Sequence, residues 1–522
     1  MKPVEISKKK NLVPSFAEQF PRNLGANIAY FLVNIIIGLV LVPYFISTLG
    51  VAAYGLIPLV TSITGYVNIF NLSLNTTISR YLTVELQQED FESANKTFNT
   101  SVIFISFLIA LMIPVIFFVA YNIPKIFNVP RGLEIDSILL FLGVCFAFII
   151  RSWSGNFTVQ LFAYNRLDLQ NIVSIFNLIV QTALIVFFFV FFGPNLALVG
   201  LAYLIGAIVA SILSILLARH ICPYLSISCN SLEISRIRKF TSMGWWVLIN
   251  NVGSILFLQI DIILVNILFG DSSAGEYSIV LMWVILLRGV AAVLAGVLTP
   301  MVLTFYAKKH FEKLLTVTKS SVKLMGLAMA LPIGLVCGFS KQILIIWVGP
   351  EFLFLIPLLI LMNIHLVVNL AVLPLFSINV AYNKVKIPGI ITLIMSILNI
   401  VLAVILSLFS ELGYYGVAIA GAIVLTFKNS FFTPWYATKI LGINPNIFAK
   451  VILQGIFVFV FIVFLAVIIG ILLPITSLLL LIIECSLILV LYLIIVWKFG
   501  LNQFEKDLFM SYLPAKTRSL FS

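Results

Sequence analysis

Residues 137–162 read SILLFLGVCFAFIIRSWSGNFTVQLF, an apolar run with one charge, Arg151, near its centre. About 20 mostly apolar residues suffice for a helix to cross a bilayer. The run lacks the period-two alternation of a membrane β-strand. It therefore predicts a transmembrane helix in which Arg151 is the anomaly. A charge at the centre of such a helix costs roughly 2.5–3.5 kcal/mol on insertion scales and usually faces a cavity or a partner. Two other apolar runs carry the same anomaly: Asp261 within 242–269 and Arg288 within 275–304.

Runs of this kind recur along the chain. They lie at 24–46, 55–78, 98–121, 137–162, 171–192 and 197–218, then at 242–269, 275–304, 320–346, 353–380, 388–409 and 415–437, and last at 450–473 and 476–497. That makes about fourteen spans by the ~20-residue criterion. Composition agrees: 62% of the 522 residues are hydrophobic and 10% are charged. Mean hydropathy is +1.18. The expected fold class is an all-α polytopic membrane protein. Residues 1–23 read as a cytoplasmic tail rather than a signal peptide, because Lys8, Lys9 and Lys10 lie far from the apolar run at Leu24.

A net charge of +12 would suit nucleic acid, but the positions of the charges argue against that partner. With the N-terminus inside, Lys and Arg fall in alternate loops, at Arg80 and Lys96, Arg166, Arg219 to Lys239, Lys308 to Lys323, Lys384 and Lys386, and Lys428 to Lys450. The opposite loops hold little beyond Lys125, Arg131 and Lys341. This is the positive-inside pattern, with both termini cytoplasmic and the cell membrane as the expected location. Five scattered cysteines form no CxxC or zinc spacing, so structural thiols are expected and no metal site.

A weak internal repeat appears at an offset of about 220 residues by inspection of the two halves. Leu49-Gly50 aligns with Phe269-Gly270, Tyr54 with Tyr277 after a slip, and Phe91-Glu92 with Phe311-Glu312. Six helices separate the copies, an even number, so the repeat is parallel, about an axis along the membrane normal. The expected organisation is an N-lobe at 24–218, an inter-lobe linker at 219–241, a C-lobe at 242–437, helices 13 and 14 at 438–497 and a C-terminal tail at 498–522. A cavity between two such lobes suits a transporter working by alternating access.

Arg151 and Arg288 each lie 14 residues from proposed outer ends at Ser137 and Ala274, about 21 Å inward at the helical rise. Two guanidiniums at one depth, one per lobe, would bind a phosphate or diphosphate through forked hydrogen bonds; the plain alternative is that each snorkels to the inner surface. Asn251, Ser254 and Asp261 share one helical face. Asp261 could neutralise Arg288, bind a coupling ion or simply pack, and its depth of about 12 Å is shallower than that of Arg288. Asn27 and Asn34, then Asn68, Asn71 and Asn75, then Ser174, Asn177 and Gln181 make further polar stripes. Singly these are packing hydrogen bonds; together they suggest a hydrated interior for a sugar. His365 reads as a buried hydrogen-bonding group, and Glu484, the only acid of the last span, has no assigned role. Walker A, HExxH, GxSxG and dinucleotide-turn motifs are all missing, so neither an enzyme nor a bound cofactor is expected.

The stretch Leu41 to Leu82, LVPYFISTLGVAAYGLIPLVTSITGYVNIFNLSLNTTISRYL, resembles the first helix pair of polysaccharide-export (O-antigen, Wzx-type) flippases. YNRLDLQN at 164–171, FGDSSAGEYS at 269–278 and YAKKHFEKL at 306–314 are similar to that family too. The superfamily also holds multidrug and toxin extrusion transporters and the lipid II flippase. The resemblance implies two six-helix lobes around a cationic cavity, with two extra C-terminal helices. It implies a polyprenyl-(di)phosphate-linked glycan as substrate, membrane lipids as surroundings, and a coupling ion: proton, sodium or chloride. Polysaccharide assembly proteins are further partners it brings in. Asn71-Leu72-Ser73-Leu74 stands where the family often carries Asp-Leu-Gly-Leu. On this reading Arg151 and Arg288 hold the phosphate, Asn68, Asn71 and Asn251 contact sugar, and Asp261 balances charge or senses the ion. A cation-coupled drug exporter on the same scaffold is the alternative, and would need an acid-rich cavity. A membrane glycan polymerase is disfavoured by the short outer loop, 122–136.

Overall fold

Hydropathy marks the stretch that fits a bilayer, and the helices run further. The computed structural model describes residues 16–228, 233–307, 309–444, 446–473, 477–503 and 505–506, and every regular element in them is helical. The order is α1 (Phe16–Leu49), α2 (Val51–Gln87), α3 (Phe91–Ile126), α4 (Glu134–Ala163), α5 (Leu167–Phe192), α6 (Leu196–Ile221), α7 (Ile234–Phe269), α8 (Asp271–Ala307) and α9 (Phe311–Gly338). After these come α10 (Ser340–Trp347), α11 (Ile356–Ile364), α12 (Leu366–Ala371), α13 (Leu375–Ala381), α14 (Lys386–Phe409), α15 (Tyr415–Phe427), α16 (Thr433–Leu441), α17 (Ile447–Leu472) and α18 (Leu478–Ile495). Among the described residues, thirteen helical stretches are long and apolar enough to cross a membrane, and α7 adds a shorter apolar piece, Ile255–Phe269. Each expected span therefore has a helical counterpart, and the protein is an all-α polytopic membrane protein.

The boundaries differ from expectation at the ends expected to be cytoplasmic. α2 and α8 have 37 residues each and α3 has 36, about 55 Å at the helical rise, against a hydrocarbon core of about 30 Å. The expected loop 79–97 shrinks to three residues, because Asp90 caps α3 by accepting from Ser93 N at 3.0 Å, and Glu92 pairs with Lys96 one turn on at 2.6 Å. The loop 305–319 shrinks in the same way, with α9 starting at Phe311, and α1 begins at Phe16, inside the expected tail.

Two spans are broken. The tenth consists of a 3-10 turn (Pro350–Leu355), α11, α12 and α13, with breaks at His365 and at 372–374. Pro357 and Pro374 remove backbone donors there. The twelfth holds a π turn, Lys428–Phe432, before α16. Pro434 cannot donate to the preceding turn, which is a sufficient cause for that widening.

The chain divides into two compact units, up to Ser278 and from Ile279. The division falls inside α8 rather than at the expected linker, because α7 packs on α2 and α3. In the first unit α4 lies along α6. Their backbones touch at Gly143 and Gly200: a Cβ on Gly200 would lie 2.8 Å from Leu140 Cα, and one on Gly143 would fall against the carbonyl of Gly200. Small residues at such crossings allow the close approach that membrane helices pack by.

The linker is fastened rather than loose. Asn95 accepts from Ser226 N at 3.1 Å, and Asn99 accepts from Ser228 N at 2.6 Å. Arg236 bridges Glu85, Glu233 and Thr97. The Ser235 hydroxyl, followed by Arg236, holds the Glu233 carboxyl down from 4.5 to about 2. A carboxylate depressed on folding contributes above its unfolded pKa and loses that contribution as pH falls through the folded value. The latch is therefore expected to keep its full strength above pH 4.5 and to loosen between about 4.5 and 2. Hydrogen exchange at Ser226 and Ser228 checks this, and Glu233→Gln should remove the part of the acid response that lies in this window.

In the second unit α9 packs along α17, and Gly326 meets Gly455 with a virtual Cβ contact of 3.2 Å. Tyr492 donates to Leu327 O at 2.6 Å, and Lys323 pairs with buried Glu505 at 2.7 Å. The last two long helices, α17 and α18, are thus fastened to α9.

Candidate functional site

The first unit encloses a chamber of about 600 Å³, within the usual range for ligand cavities. Asn68, Asn71 and Asn75 reach it from one face of α2, as their 3/4 spacing predicts. α4 contributes Arg151, Ser152, Ser154 and Thr158, and α5 contributes Gln170, Ser174, Asn177 and Gln181. Tyr203, Ser211 and Ser214 come from α6. Among the described lining residues Arg151 is the only charged one, and none is a carboxylate. Arg151 is exposed, while Asn177 and Gln181 are buried.

The wall is partly self-satisfied. Asn71 donates to Ser152, Ser211 donates to Ser154 at 2.9 Å, and Gln170 donates to the Thr158 carbonyl at 2.5 Å. The carboxamide oxygens of Asn75 and Asn177 have no hydrogen-bond partner among the described residues. Gly155 makes room for Asn75, since a Cβ there would lie 3.1 Å from its amide nitrogen. One cation amid amides and hydroxyls can take a ligand with one anionic group and many hydroxyls.

Arg151, Asn68 and Asn71 come together here, joined by the α5 stripe. The α6 residues escape sequence reasoning, although Tyr203, Ala207, Ala210 and Ser214 follow the same 3/4 spacing. The side chain of Asn251 lies outside the described residues. Asp261 is not among the lining residues; it accepts from Tyr277 at 3.2 Å. Asp261 lies eight residues inside the end of α7, and Tyr277 lies six residues after the start of α8, depths of about 12 and 9 Å. Sequence reasoning looks for an arginine and passes over this tyrosine. Asp261→Leu would leave a buried hydroxyl without this acceptor, whereas Asp261→Asn keeps a carbonyl. Asp261→Leu is expected to be less stable than Asp261→Asn by about 1–3 kcal/mol, as read from unfolding midpoints in detergent.

Arg288 belongs to the second unit and is half-buried on α8. It lies 17 residues from the start of α8 at Asp271, just as Arg151 lies 17 residues from the start of α4 at Glu134. Both helices start three residues earlier than proposed, so the equality of the two distances survives at about 25 Å. The same unit holds a cation that sequence reasoning misplaces. Lys428 is counted with a cytoplasmic loop in the charge pattern, although the hydropathy run 415–437 includes it; it is 5% exposed and lies inside the span Tyr415–Leu441. The polar trio Lys428-Asn429-Ser430 interrupts the apolar run, yet the helix continues through its π turn. The ammonium stands 5.3 Å over the Phe376 ring. Beside it in sequence, Asn429 donates to Asn369 at 3.1 Å, and Asn369 shares a 2.7 Å hydrogen bond with His365.

Fold and chamber together define a polytopic membrane protein with a polar, cation-bearing interior. The chain belongs to the polysaccharide biosynthesis protein family, whose sequence model matches residues 21–306, more than half its length. It is 33% identical over 433 residues to the uncharacterized membrane protein EpsK of Bacillus subtilis (strain 168), an overlap covering 83% of this chain and 86% of that one. The fold is similar to that of the lipid II flippase MurJ in an inward closed conformation, with TM-score 0.65, 16% identity, and coverage of 90% of this chain and 99% of that one. It is also similar to an inward-facing multidrug resistance MATE family transporter of the MOP superfamily, with TM-score 0.58, 15% identity, and coverage of 80% and 98%. The family read from Leu41 to Leu82 is thus the family to which the chain belongs, and its fold is that of flippases and transporters.

Proposed function

We propose that this protein is a flippase that moves a lipid-(di)phosphate-linked oligosaccharide across the cell membrane by alternating access, for polysaccharide export. The observation that carries the reading is the chamber of the first unit: an arginine among amides and hydroxyls, with no carboxylate among the described lining residues. Arg151 and Arg288 would hold the phosphate. Asn68, Asn71 and Asn251 would contact sugar hydroxyls, and Asp261 would balance charge or sense a coupling ion. The internal repeat supports an arrangement of two lobes, and the positive-inside pattern supports cytoplasmic termini.

Proteoliposomes loaded with a polyprenyl-diphosphate glycan test this directly. Protein-dependent transfer of the glycan to the opposite leaflet is expected. Lack of transfer, together with a deletion strain that shows no inner-leaflet build-up of lipid-linked glycan, would overturn it. A drug exporter needs an anionic site for cationic drugs, which this chamber does not offer. Unchanged drug sensitivity of the deletion strain is the matching expectation.

A further inference from the structure

Within the first unit, the α3–α4 turn grips the end of α7. Asn128 N donates to Asn266 Oδ1 at 3.0 Å, and the Asn128 amide donates to Asn266 O at 2.6 Å and to Ile267 O at 3.3 Å. The Asn266 amide returns a bond to Asn128 O at 3.1 Å. Asn266 is fully buried, and its carbonyl also accepts from Gly270 N at 3.0 Å, which closes the helix end. These four bonds join segments 138 to 139 residues apart.

A second contact lies on residues related by the internal repeat. Gly50 and Gly270 precede α2 and α8 with φ of 83° and 95°, a conformation that favours glycine. Five residues after each stand Gly55 and Gly275, again at an offset of 220. A Cβ on Gly55 would lie 2.6 Å from Gly275 N, and one on Gly275 would fall against Val51 O. The first turns of α2 and α8 therefore meet backbone to backbone at equivalent positions of the two copies, as elements that cross on a two-fold axis do. With the N-terminus inside, both the clasp and this crossing lie at the outer ends of their helices.

We infer that the Asn128–Asn266 clasp is the latch of an outer gate. The glycine crossing closes the gate at the repeat axis, and the clasp sets how readily it opens. The inference rests on the alternating-access reading above. A clasp of neutral amides suits a latch. Each bond is worth only about 1 kcal/mol net, so several together hold a state that binding energy can still release. A plain packing role would leave the closure permanent.

Ala274, fully buried beside this crossing, supplies the probe position. In a chain with its five native cysteines replaced by alanine, Ala274→Cys is labelled in proteoliposomes by a membrane-impermeant thiol reagent added outside. Adding Asn266→Ala, which deletes two of the four bonds, is expected to raise the labelling rate about tenfold. Asn128→Ala, at an exposed turn position, deletes the other two and should act in the same direction without endangering the fold. An unchanged rate in both variants overturns the latch. As a second measurement, the Asn128→Cys/Asn266→Cys pair held shut with a reductively cleavable, thiol-specific crosslinker should stop glycan-lipid transfer, and cleavage should restore it. Full transfer by the crosslinked protein also overturns the latch. Labelling needs no substrate, so clasp-dependent labelling without any glycan transfer would sink the substrate reading and leave the latch standing.

Discussion

Arg151→Ala is expected to cut glycan-lipid transfer by about 10- to 100-fold while leaving the fold intact. Among the described residues, the Arg151 side chain forms no ion pair and is the one charged group that lines the chamber. Its removal therefore breaks no such bond within the protein. On the proposed function, what it takes away is a charge-assisted contact to a phosphate, worth about 1.5–3 kcal/mol, and 1.4 kcal/mol is a factor of ten. Arg151→Lys should recover part of the loss, since a point charge remains but the fork geometry does not. Initial transfer rates in proteoliposomes, set beside the thermal midpoint in detergent, separate function from folding. Wild-type transfer by Arg151→Ala would remove this arginine from the mechanism.

Gly143→Val is expected to do the opposite: it should unmake the fold before it touches the chemistry. The added carbons fall on the Gly200 backbone, and a backbone cannot yield by changing rotamer as a side chain can. Overpacking typically costs 1–3 kcal/mol, occasionally more, and this site belongs at the upper end. α4 carries Arg151, Ser152 and Ser154, and α6 carries Tyr203, Ser211 and Ser214. Forcing these helices apart also opens the chamber wall. Loss of monodisperse protein on gel filtration, with a lowered thermal midpoint in whatever remains, is the expected result. Gly25→Ala makes the control: a Cβ there meets nothing within 4 Å, and alanine is the better helix former by about 1 kcal/mol. Normal folding by Gly143→Val would show that the crossing can widen at little cost.

The candidate site is legible in the sequence to the extent that its parts are periodic. Asn68, Asn71 and Asn75 emerge from 3/4 spacing on one helix, and so do Ser174, Asn177 and Gln181. Arg151 announces itself as a charge inside an apolar run. Tyr203, Ala207, Ala210 and Ser214 have the same spacing but lie among small apolar residues, where one serine raises little signal. Lys428 is misplaced because the charge pattern counts a lysine with the inner loops, although the hydropathy run 415–437 passes over it. The helix itself carries on past it through a π turn. Asp261 accepts from Tyr277, a hydroxyl partner that the sequence does not single out, because it offers charge before hydroxyl.

Local sequence was enough for the membrane-spanning class, the count and order of the spans, the family and the facing of two polar stripes. Each of these is a sum over neighbouring residues: twenty apolar side chains in a row, or one face repeating every three or four positions. Packing was needed to learn that four helices pool their stripes into one chamber, that α7 belongs with the first unit, and that Asn128 grips Asn266. Those outcomes depend on backbone approach between segments far apart in the chain, such as Gly143 to Gly200 and Gly55 to Gly275. A glycine states only that close approach is allowed, and the partner that makes it is a property of the packed fold.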